Sequence, residues 1–411
     1  MEIDRKYIDE FKYFGDRVYL DCSAMGMQPQ RTIDAGKRYL DDFAGSLWQN
    51  PDIQGEVIRP KVKKEIAHLI GAEPDDIFFT RNTTEGNSLL ARGFPLATGD
   101  EVLICNEDFP SVYMPWTTLQ QRGIRLTVVK GQQGIVSADA IIAAFSEHTK
   151  IVCISMAQSS SGYVTDLMKL GKACHARGIL LSVDAIQAAG RLPINVEAMN
   201  IDLLTASSFK GLMGIMGAGF CWCRREVMDK IIPDTVCDNI DLSRYDRTQG
   251  FTALPVPSFP SGASRIETGT TNNLGILMMG ESIRMLNEIG IDKIAEQILT
   301  VETYYRQCLD RSGLPIQLLG TDDPKNWSGS VSFLYDPNYS LCLSEALKNA
   351  GIIATVRRYF RIGIHFYNTK DDIDRLMKVL EKVVVFQELC KPNIATDQTE
   401  RAACKIQKIS A

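Results

Sequence analysis

Two polar residues stand at the ends of short apolar runs between residues 179 and 211. Asp184 ends the apolar strand predicted from Ile179, and Lys210, after a Ser-Ser pair, ends a second predicted strand. Such runs predict buried strands, whose ends face the cleft where α/β sheets bind ligands. An amine for a Schiff base and a carboxylate for a pyridinium nitrogen, with Gln187 three residues after the carboxylate, indicate a site for pyridoxal 5'-phosphate (PLP). A buried aspartate and a surface lysine would give the same pattern, so the pair alone leaves both interpretations open.

A candidate phosphate site lies at residues 80–87 (TRNTTEGN), which lead from a predicted strand directly into a helical pattern ending near Phe94. The first turn of a helix offers unpaired N–H groups and a partial positive charge, and the hydroxyls of Thr83 and Thr84 add donors. An ordinary helix cap has the same residue types. The phosphate interpretation is favoured only because Asp184 and Lys210 occur later in the chain.

The elements around these residues alternate between strand and helix patterns. Because strands separated by helices form parallel sheets, we expect an α/β domain with a mainly parallel sheet covered by helices. Phe109 comes just after a predicted strand at 101–105, so its ring could stack on a planar cofactor or pack in the core. The turn at residues 21–26 could line the same pocket. The predicted strands lie at 76–80, 101–105, 125–130 and 151–157. The predicted helices lie at 31–44, 56–70, 116–122, 138–145 and 166–177.

Four segments are predicted along the chain. Residues 1–17 form an N-terminal arm, residues 18–265 a large domain that carries the site, residues 266–390 a smaller α+β domain, and residues 391–411 a loose polar tail. The stretch 232–264 is rich in Pro, Ser, Gly and Asp and is predicted to be a long loop over the site. The smaller domain is expected to contain a single strand over 353–365.

Composition excludes several classes of protein. The 411 residues, 45% of them hydrophobic, are enough for two domains. With a net charge of -5 and scattered basic residues, we expect a small-molecule substrate and no nucleic acid. The eleven cysteines lack paired metal-ligand spacing, so we expect reduced packing residues and no metal. A signal peptide and a membrane span are both missing from the sequence pattern, which predicts a cytosolic protein without membrane contact.

Five ordered motifs together carry a family resemblance. The sequence resembles class V aminotransferases, a fold-type I PLP family that includes cysteine desulfurases, selenocysteine lyases, isopenicillin N epimerase-like enzymes and kynureninase. The resemblance covers roughly residues 18 to 388 and implies a large domain with a mainly parallel sheet plus a smaller C-terminal α+β domain. The motifs are residues 80–85 (TRNTTE), 184–187 (DAIQ), 207–210 (SSFK), 267–270 (ETGT) and 361–369 (RIGIHFYNT).

The resemblance implies a role for each matching residue. Lys210 would hold the cofactor as a Schiff base, Asp184 would contact the pyridinium nitrogen and Gln187 the phenolic oxygen. Phe109 would stack on the ring, and Arg361 would bind the α-carboxylate of an amino-acid substrate. The cofactor phosphate would be bound by Thr83, Thr84 and Ser207, and by Thr270 from the partner subunit of a homodimer.

The sequence departs from the family pattern in ways that bear on the reaction. Desulfurases that collect sulfur as a persulfide carry a cysteine on a loop before the position of Arg361, whereas only residues 357–360 (RRYF) follow Val356 here. Phe209, Gly211 and Ser159 also differ from common family residues. We therefore expect a C–S or C–Se lyase without a persulfide cysteine at that loop, and Cys22 remains an alternative thiol.

Two other functions remain open from the sequence. An epimerase or aminotransferase of the same family would share the cofactor residues, and a catalytically silent PLP-fold protein would serve as a binding subunit. A second acidic group on the substrate has three candidate partners in Arg247, Arg357 and Arg358.

Overall fold

The computed structural model describes residues 3–46, 55–240, 258–314 and 316–389. The chain starts with a one-turn helix, α1 (Arg5–Ile8), and a 3-10 helix over Asp9–Phe14. Tyr7 and Phe11 are buried, and the Phe11 ring centroid lies 4.8 Å from that of Tyr367. The predicted N-terminal arm is therefore packed against the C-terminal part of the chain by aromatic contacts.

The central feature is a sheet of seven strands within the described ranges. Its spatial order is β2-β8-β7-β6-β5-β3-β4. The pairs β3–β4, β3–β5, β5–β6 and β6–β7 are parallel, whereas β8 is antiparallel to both β2 and β7. The prediction of a mainly parallel sheet is thus confirmed. The strands are β2 (Ile77–Thr80), β3 (Glu101–Cys105), β4 (Arg125–Val129), β5 (Thr149–Ser155), β6 (Leu180–Asp184), β7 (Leu203–Ser207) and β8 (Gly219–Cys223).

Both faces of this sheet are covered. Leu103 and Val152 belong to one buried hydrophobic cluster, whereas their neighbours Val102 and Cys153 belong to another. Because successive side chains of a strand point to opposite faces, the two clusters lie on opposite sides of the sheet. The covering helices are α2 (Gln30–Ser46), α3 (Ile58–Ile70), α4 (Thr83–Gly93), α5 (Pro110–Thr117), α6 (Ala138–Ala143), α7 (Leu167–His175), α8 (Arg225–Met228) and α9 (Asn273–Ile289).

The C-terminal elements form a second, antiparallel sheet in the order β12-β13-β10-β9. A short parallel pair joins β1 (Val18–Tyr19) to β11, so the N-terminal segment reaches this region as well. The described helices include none with the length and apolarity needed to cross a bilayer. The elements are α10 (Ile291–Ser312), β9 (Gln317–Leu318), β10 (Ser330–Leu334), α11 (Ser340–Asn349), β11 (Ile352–Ile353), β12 (Thr355–Val356), β13 (Phe360–Gly363) and α12 (Lys370–Leu389).

The prediction of a single strand over residues 353–365 is wrong. Strands β12 and β13 pair with each other as a hairpin, with Thr355 opposite Arg361. The turn is closed by a hydrogen bond from the Arg357 N–H to the Tyr359 carbonyl at 3.1 Å. Most of the predicted loop at 232–264, including Arg247, and the predicted tail at 391–411 lie outside the described residues. The proposed domain boundaries stay predictions.

Candidate active site

The carboxyl ends of two neighbouring parallel strands form the floor of the site. β6 ends at Asp184 and β7 ends at Ser207, and Asp184 pairs with Thr205 in the ladder. Lys210 lies three residues beyond β7, in a turn, so the prediction that this strand ends on Lys210 is corrected. The aspartate and the lysine nevertheless meet at one edge of the sheet, where α/β folds bind ligands.

Two distant segments hold the lysine turn in place. The Gly26 N–H donates to the Phe209 carbonyl at 2.7 Å, and a Cβ at Gly26 would collide with the Lys210 carbonyl. On the other side, His365 Nε2 lies 3.0 Å from the Gly211 carbonyl, and its Nδ1 accepts from the Phe366 N–H. Because Nδ1 is an acceptor, Nε2 carries the proton and donates to Gly211. Glycine at position 26 is required by this close approach.

Asp184 is a fully buried carboxyl with few partners. Its Oδ1 accepts from the Ile186 N–H at 2.9 Å, and the Ser111 hydroxyl lies 3.5 Å from Oδ2. Burial raises the pKa of Asp184 to about 6, and these hydrogen bonds together with the nearby Lys210 only partly oppose that shift. A carboxylate in this position gains most from a cationic N–H partner.

The Lys210 amine is the group that faces Asp184. Burial lowers the pKa of Lys210 to about 8, with Asp184 opposing the shift and Arg361 adding to it. The amine also lies 5.8 Å from the centre of the Phe209 ring. A larger fraction of this lysine is therefore neutral near pH 7 than of an exposed lysine, which makes it a better nucleophile.

The predicted phosphate site is formed by the start of α4 and the end of β7. The Thr83 N–H donates to Ser207 Oγ at 3.0 Å, and Asn82 caps the helix by accepting from the Glu85 N–H at 3.0 Å. Thr83 is buried and Thr84 is exposed. Helix α4 can approach the sheet because residue 86 is glycine, where a Cβ would collide with the Thr205 hydroxyl. Ser207, Thr83 and Thr84 are thus brought to one helix N-terminus.

Phe109 and Gln187, the predicted partners of the cofactor ring, differ in exposure. The Phe109 side chain is 55% exposed, which excludes the alternative that it packs in the core. It directly precedes α5, which begins at Pro110, earlier than the predicted helix at 116–122, because proline suits a first helical turn. Gln187 is buried, and its Nε2 donates to the Ser23 carbonyl at 3.1 Å.

Arg361 approaches the site from the C-terminal sheet. It lies on β13 with only 6% of its surface exposed, and its Nη1 donates to the Ser159 carbonyl at 2.6 Å. Nη2 lies 3.5 Å from the Thr355 hydroxyl, which in turn donates to Asp21 Oδ1 at 2.5 Å. Burial lowers the pKa of Arg361, yet a guanidinium stays charged at physiological pH. A charged fork is therefore held on the Lys210 side of the smaller sheet.

With this geometry in place, the comparisons with known proteins decide the family. Residues 18–376 match the family model described as aminotransferase class-V. The chain belongs to this family. It is 28% identical over 394 residues to a probable cysteine desulfurase of Methanothermobacter thermautotrophicus, which covers 90% of this chain and 95% of that protein. It is 26% identical to the uncharacterized aminotransferase YcbU of Bacillus subtilis, over 80% of this chain and 84% of that protein.

Solved structures show the same fold. The apo structure of a cysteine desulfurase from Thermococcus onnurineus superposes with a TM-score of 0.83 at 22% identity, covering 94% of this chain and 99% of that one. The complex of the cystine C-S lyase C-DES with its product cysteine persulfide gives a TM-score of 0.79 at 19% identity, covering 90% and 99%. As a class V aminotransferase, the chain is a PLP-dependent enzyme of the fold-type I α/β class.

The residues of this class V enzyme fit the cofactor. Buried polar atoms are nearly always hydrogen-bonded. Gln187 Oε1 and Arg361 Nε are buried and have no hydrogen-bond partner in the part of the chain that the structure describes. Gln187 lies three residues after Asp184, and the charge of Arg361 acts on Lys210, so both atoms are suited to contact a bound polar molecule at this edge. Together with the Asp184 carboxyl, which has no cationic hydrogen-bond partner among the described residues, and the helix start at Thr83, they match a molecule with a ring nitrogen, a phenol and a phosphate.

The remaining predicted residues lie further out. Thr270 is exposed, on a segment held by Asp238, which accepts from the Thr268 hydroxyl at 2.7 Å and the Gly269 N–H at 3.0 Å. Arg357 and Arg358 are exposed on the hairpin turn before β13. The contact of Thr270 with a partner's phosphate stays a prediction.

Sequence reasoning missed two buried residues at this site. Asp108 Oδ1 accepts from the Ser155 N–H at 2.9 Å and from Gln158 Nε2 at 3.1 Å, which fixes the backbone just before Phe109. Burial raises the pKa of Asp108 to about 7. Arg191 lies in the polar network around Gln187. For Asp108 the available signal was a charged residue three positions after the predicted strand at 101–105, whereas Arg191 lies seven residues after Asp184 and had no such signal.

Proposed function

We propose that this class V enzyme cleaves the C–S or C–Se bond of an amino acid, with Lys210 moving the proton at Cα and Arg361 binding the α-carboxylate. The observation that carries the proposal is that the charges of Asp184, at the end of β6, and of Arg361, on β13, both act on the buried Lys210 amine, although these two residues belong to different sheets. An amine that can move a proton and a carboxylate-binding fork must lie this close together to act on one amino acid.

Each of the other residues has a defined task in this proposal. Bound PLP supplies an electron sink that weakens the bonds at the substrate Cα. Asp184 keeps the proton on the ring nitrogen, and Phe109 limits the ring's movement by stacking. Thr83, Thr84 and Ser207 hold the phosphate at the start of α4.

Arg361 would decide which bond reacts. Two parallel hydrogen bonds to a carboxylate fix the rotation of the amino acid about the bond to its amine, and hence which Cα bond points towards Lys210. The free Nε and the Nη2 group of Arg361, which is only weakly bonded to Thr355, are suited to that bidentate contact.

The route of the sulfur follows from the cysteines. The hairpin before Arg361 contains no cysteine. Cys22 is fully buried, and burial raises the pKa of its thiol, which makes it a poor nucleophile and a poor carrier to a partner protein. We propose an elimination in which the Cβ–S bond breaks and sulfur leaves as sulfide, a thiol or a sulfenate, according to the substrate, while the remainder hydrolyses to pyruvate and ammonia. Alanine would form instead only where an added thiol accepts the sulfur. The relatives named as cysteine desulfurases support the proposal that a C–S bond is cleaved. They do not define the form in which the sulfur leaves.

The assembly would be a homodimer. Thr270 is exposed and lies on a segment that Asp238 holds in an ordered turn. In the proposal its hydroxyl reaches the cofactor phosphate of the partner subunit, so each site would need both chains.

The test is a substrate panel with product analysis. The purified PLP-loaded enzyme is incubated with cysteine, cystine, cysteine sulfinate, selenocysteine and alanine, and pyruvate, alanine, sulfide, selenide and racemised amino acid are measured. Elimination from cysteine yields pyruvate, ammonia and sulfide, whereas release of alanine requires a thiol to accept the sulfur. Lys210→Ala is the control and should be inactive with every substrate.

Other products would redirect the assignment. Amino-group exchange with a keto acid would favour an aminotransferase, the activity named for the Bacillus subtilis relative, and racemised product would favour an epimerase. A protein that binds PLP stoichiometrically but turns over none of these substrates would favour the catalytically silent binding subunit.

A further inference from the structure

Arg191 is a buried arginine whose hydrogen bonds within the described residues go to neither Lys210 nor Arg361. Only 1% of its surface is exposed. Its Nε donates to the Ile364 carbonyl at 3.1 Å, and its Nη1 lies 3.2 Å from Ser330 Oγ, 3.2 Å from the Gln187 carbonyl and 3.4 Å from Ser23 Oγ. One side chain therefore joins four segments that are far apart in sequence.

One branch of this network leads to the Gln187 side chain. Ser23 accepts from Arg191 through its hydroxyl and from Gln187 Nε2 through its carbonyl, at 3.1 Å. The Gln187 amide is therefore fixed at its nitrogen, and its Oε1 is the atom left for the pocket. If the Ser23 turn moved, the amide would lose the contact that sets its orientation.

The other branch leads to the strand that carries Arg361. Ile364 follows Arg361 by three residues, and Ser330 pairs with Gly363 across the β10–β13 ladder. Ser330 Oγ is also 2.6 Å from Ser23 Oγ, so the two branches meet. The Arg191 guanidinium is thus one of the links between β13 and the seven-stranded sheet.

The charge of Arg191 argues against a purely packing role. Burial lowers the pKa of Arg191, and the completely buried Glu302 only partly opposes this shift. Gly329 lies between the two side chains, where a Cβ would approach Arg191 Nη2 to 2.7 Å. Nη2 itself has no hydrogen-bond partner among the described residues. Burying a charge without a direct ion pair is expensive, and a well-packed apolar residue would be more stabilising if only packing mattered.

We propose that Arg191 is a positioning residue, whose hydrogen bonds fix the Gln187 amide and the strand that carries Arg361 relative to each other around the cofactor. The proposal rests on the roles given above to Lys210, Gln187 and Arg361. Loss of Arg191 should therefore change substrate binding and the cofactor environment together, although Arg191 touches neither.

The pH titration of the bound cofactor reports on that environment. Charged and titratable groups face the Lys210 amine from β6, from the N-terminal turn, from β13 and from the Gln187 segment, namely Asp184, Asp21, Cys22, Arg361 and Arg191. Arg191 is one of two cations in this set that disfavour a positive charge on the amine. Its replacement by a neutral residue should move the midpoint of the titration upwards.

The experiment compares Arg191→Gln, Arg191→Lys and Ser330→Ala with the wild type as PLP-loaded proteins. Arg306→Gln is the matched control, because Arg306 is a second buried arginine at Glu302, with Nη2 2.9 Å from the carboxylate, and it makes none of the four contacts of Arg191. The readouts are the midpoint of the visible cofactor absorbance against pH, KM and kcat for the substrate found in the panel, and thermal stability.

Arg191→Gln should raise KM by about five- to tenfold, the effect of weakening one charge-assisted hydrogen bond, and should shift the midpoint upwards by roughly half a unit or more. Ser330→Ala should raise KM by a smaller factor without moving the midpoint. Arg191→Lys, which keeps the charge, should leave the midpoint unchanged but should also raise KM. Arg306→Gln should lower the thermal stability and leave KM and the midpoint unchanged. If Arg191→Gln does not fold, Arg191→Lys and Ser330→Ala still decide the KM prediction.

Two results would overturn the proposal. One is a normal KM and midpoint in a folded Arg191→Gln protein. The other is the same KM and midpoint change in Arg306→Gln, which would mean that any lost buried charge has this effect. Failure of the proposed site itself would look different, because the cofactor absorbance would then survive in Lys210→Ala.

Discussion

Replacing Asp184 with asparagine should stabilise the apo-protein while it damages the enzyme. The carboxyl is fully buried and has no cationic hydrogen-bond partner among the described side chains, whereas the amide of asparagine carries no charge to desolvate. Asparagine Oδ1 can keep the bond from the Ile186 N–H, and its Nδ2 can donate to the Ser111 hydroxyl. The substitution therefore removes the charge and leaves the local hydrogen bonds in place.

The pKa shift sets the size and the pH range of the effect. The pKa of Asp184 rises from 3.8 to about 6 on burial. Two pKa units correspond to about 3 kcal/mol of unfolding free energy. The raised value means that the ionised form weakens the fold, so the penalty is absent below the unfolded pKa, grows between the two values and is complete above the folded one. The stabilisation by Asp184→Asn should thus be full at neutral pH and disappear towards about pH 4.

The assay is denaturant unfolding of both apo-proteins across this pH range. Asp238→Asn is the control with the opposite sign, because hydrogen bonds from the Gly269 N–H and the Thr268 hydroxyl lower the pKa of Asp238. Its carboxylate stabilises the fold above the unfolded pKa, so this control should lose stability at neutral pH. In the PLP-loaded enzyme, Asp184→Asn should reduce kcat/KM by roughly 10–100-fold, because one charge-assisted hydrogen bond to the ring nitrogen is lost. An Asp184→Asn apo-protein that is no more stable than the wild type at neutral pH would refute this account of the carboxyl.

Three further predictions concern the lysine, the arginine and the cysteines. Lys210→Ala should lose the visible absorbance of the cofactor. The rate of PLP incorporation into the wild-type apo-protein should rise with pH up to about 8, where the Lys210 amine becomes neutral. Borohydride labelling of a different lysine would show that Lys210 does not hold the cofactor. Arg361→Lys should raise KM roughly 10–100-fold because the fork is lost, whereas the exposed Arg358→Lys on the same hairpin should not, and a normal KM in Arg361→Lys would remove that residue from the site. Mass spectrometry after turnover with cysteine should find no persulfide on Cys22 or Cys342, and a persulfide together with lost activity in the matching Cys→Ser variant would restore the persulfide route.

The larger sheet was predictable because its signals are local. Strands such as β3 and β6 are mostly apolar runs that end at a polar residue or a turn, and helices follow them at regular intervals. The same signal marked Asp184, since a carboxylate directly after a buried run stands at the sheet edge. Which strands are neighbours was not local information, and the antiparallel insertion of β8 between β2 and β7 has no counterpart in the apolar pattern.

The smaller sheet shows where the local signals fail. Residues 353–365 contain β-branched and aromatic residues throughout, and the hairpin turn at Arg357–Tyr359 has neither glycine nor proline to mark it. A continuous strand was therefore the natural prediction. In a straight strand of that length, Arg361 would be far from the turn at Asp21, whereas the hairpin brings Thr355 beside Arg361 and lets the Thr355 hydroxyl link the two. Only the family motif pointed to Arg361 before the structure did.

The hydrogen bonds that join the two sheets through Arg191 depend on contacts that no sequence pattern encodes. Ser23 and Ser330 are 307 residues apart, and their hydroxyls are 2.6 Å apart in the fold. A serine in a turn or at the start of a strand carries no periodic or charge signal, and Arg191 gains its meaning only from the four segments that converge on it. The proposed chemistry can therefore be assigned to motif residues, but the geometry that would let Lys210 and Arg361 act on the same amino acid is a property of the tertiary contacts between the two sheets. Substitutions at Ser23, Ser330 or Arg191 should for that reason affect substrate binding more than their distance from the reacting atoms would suggest.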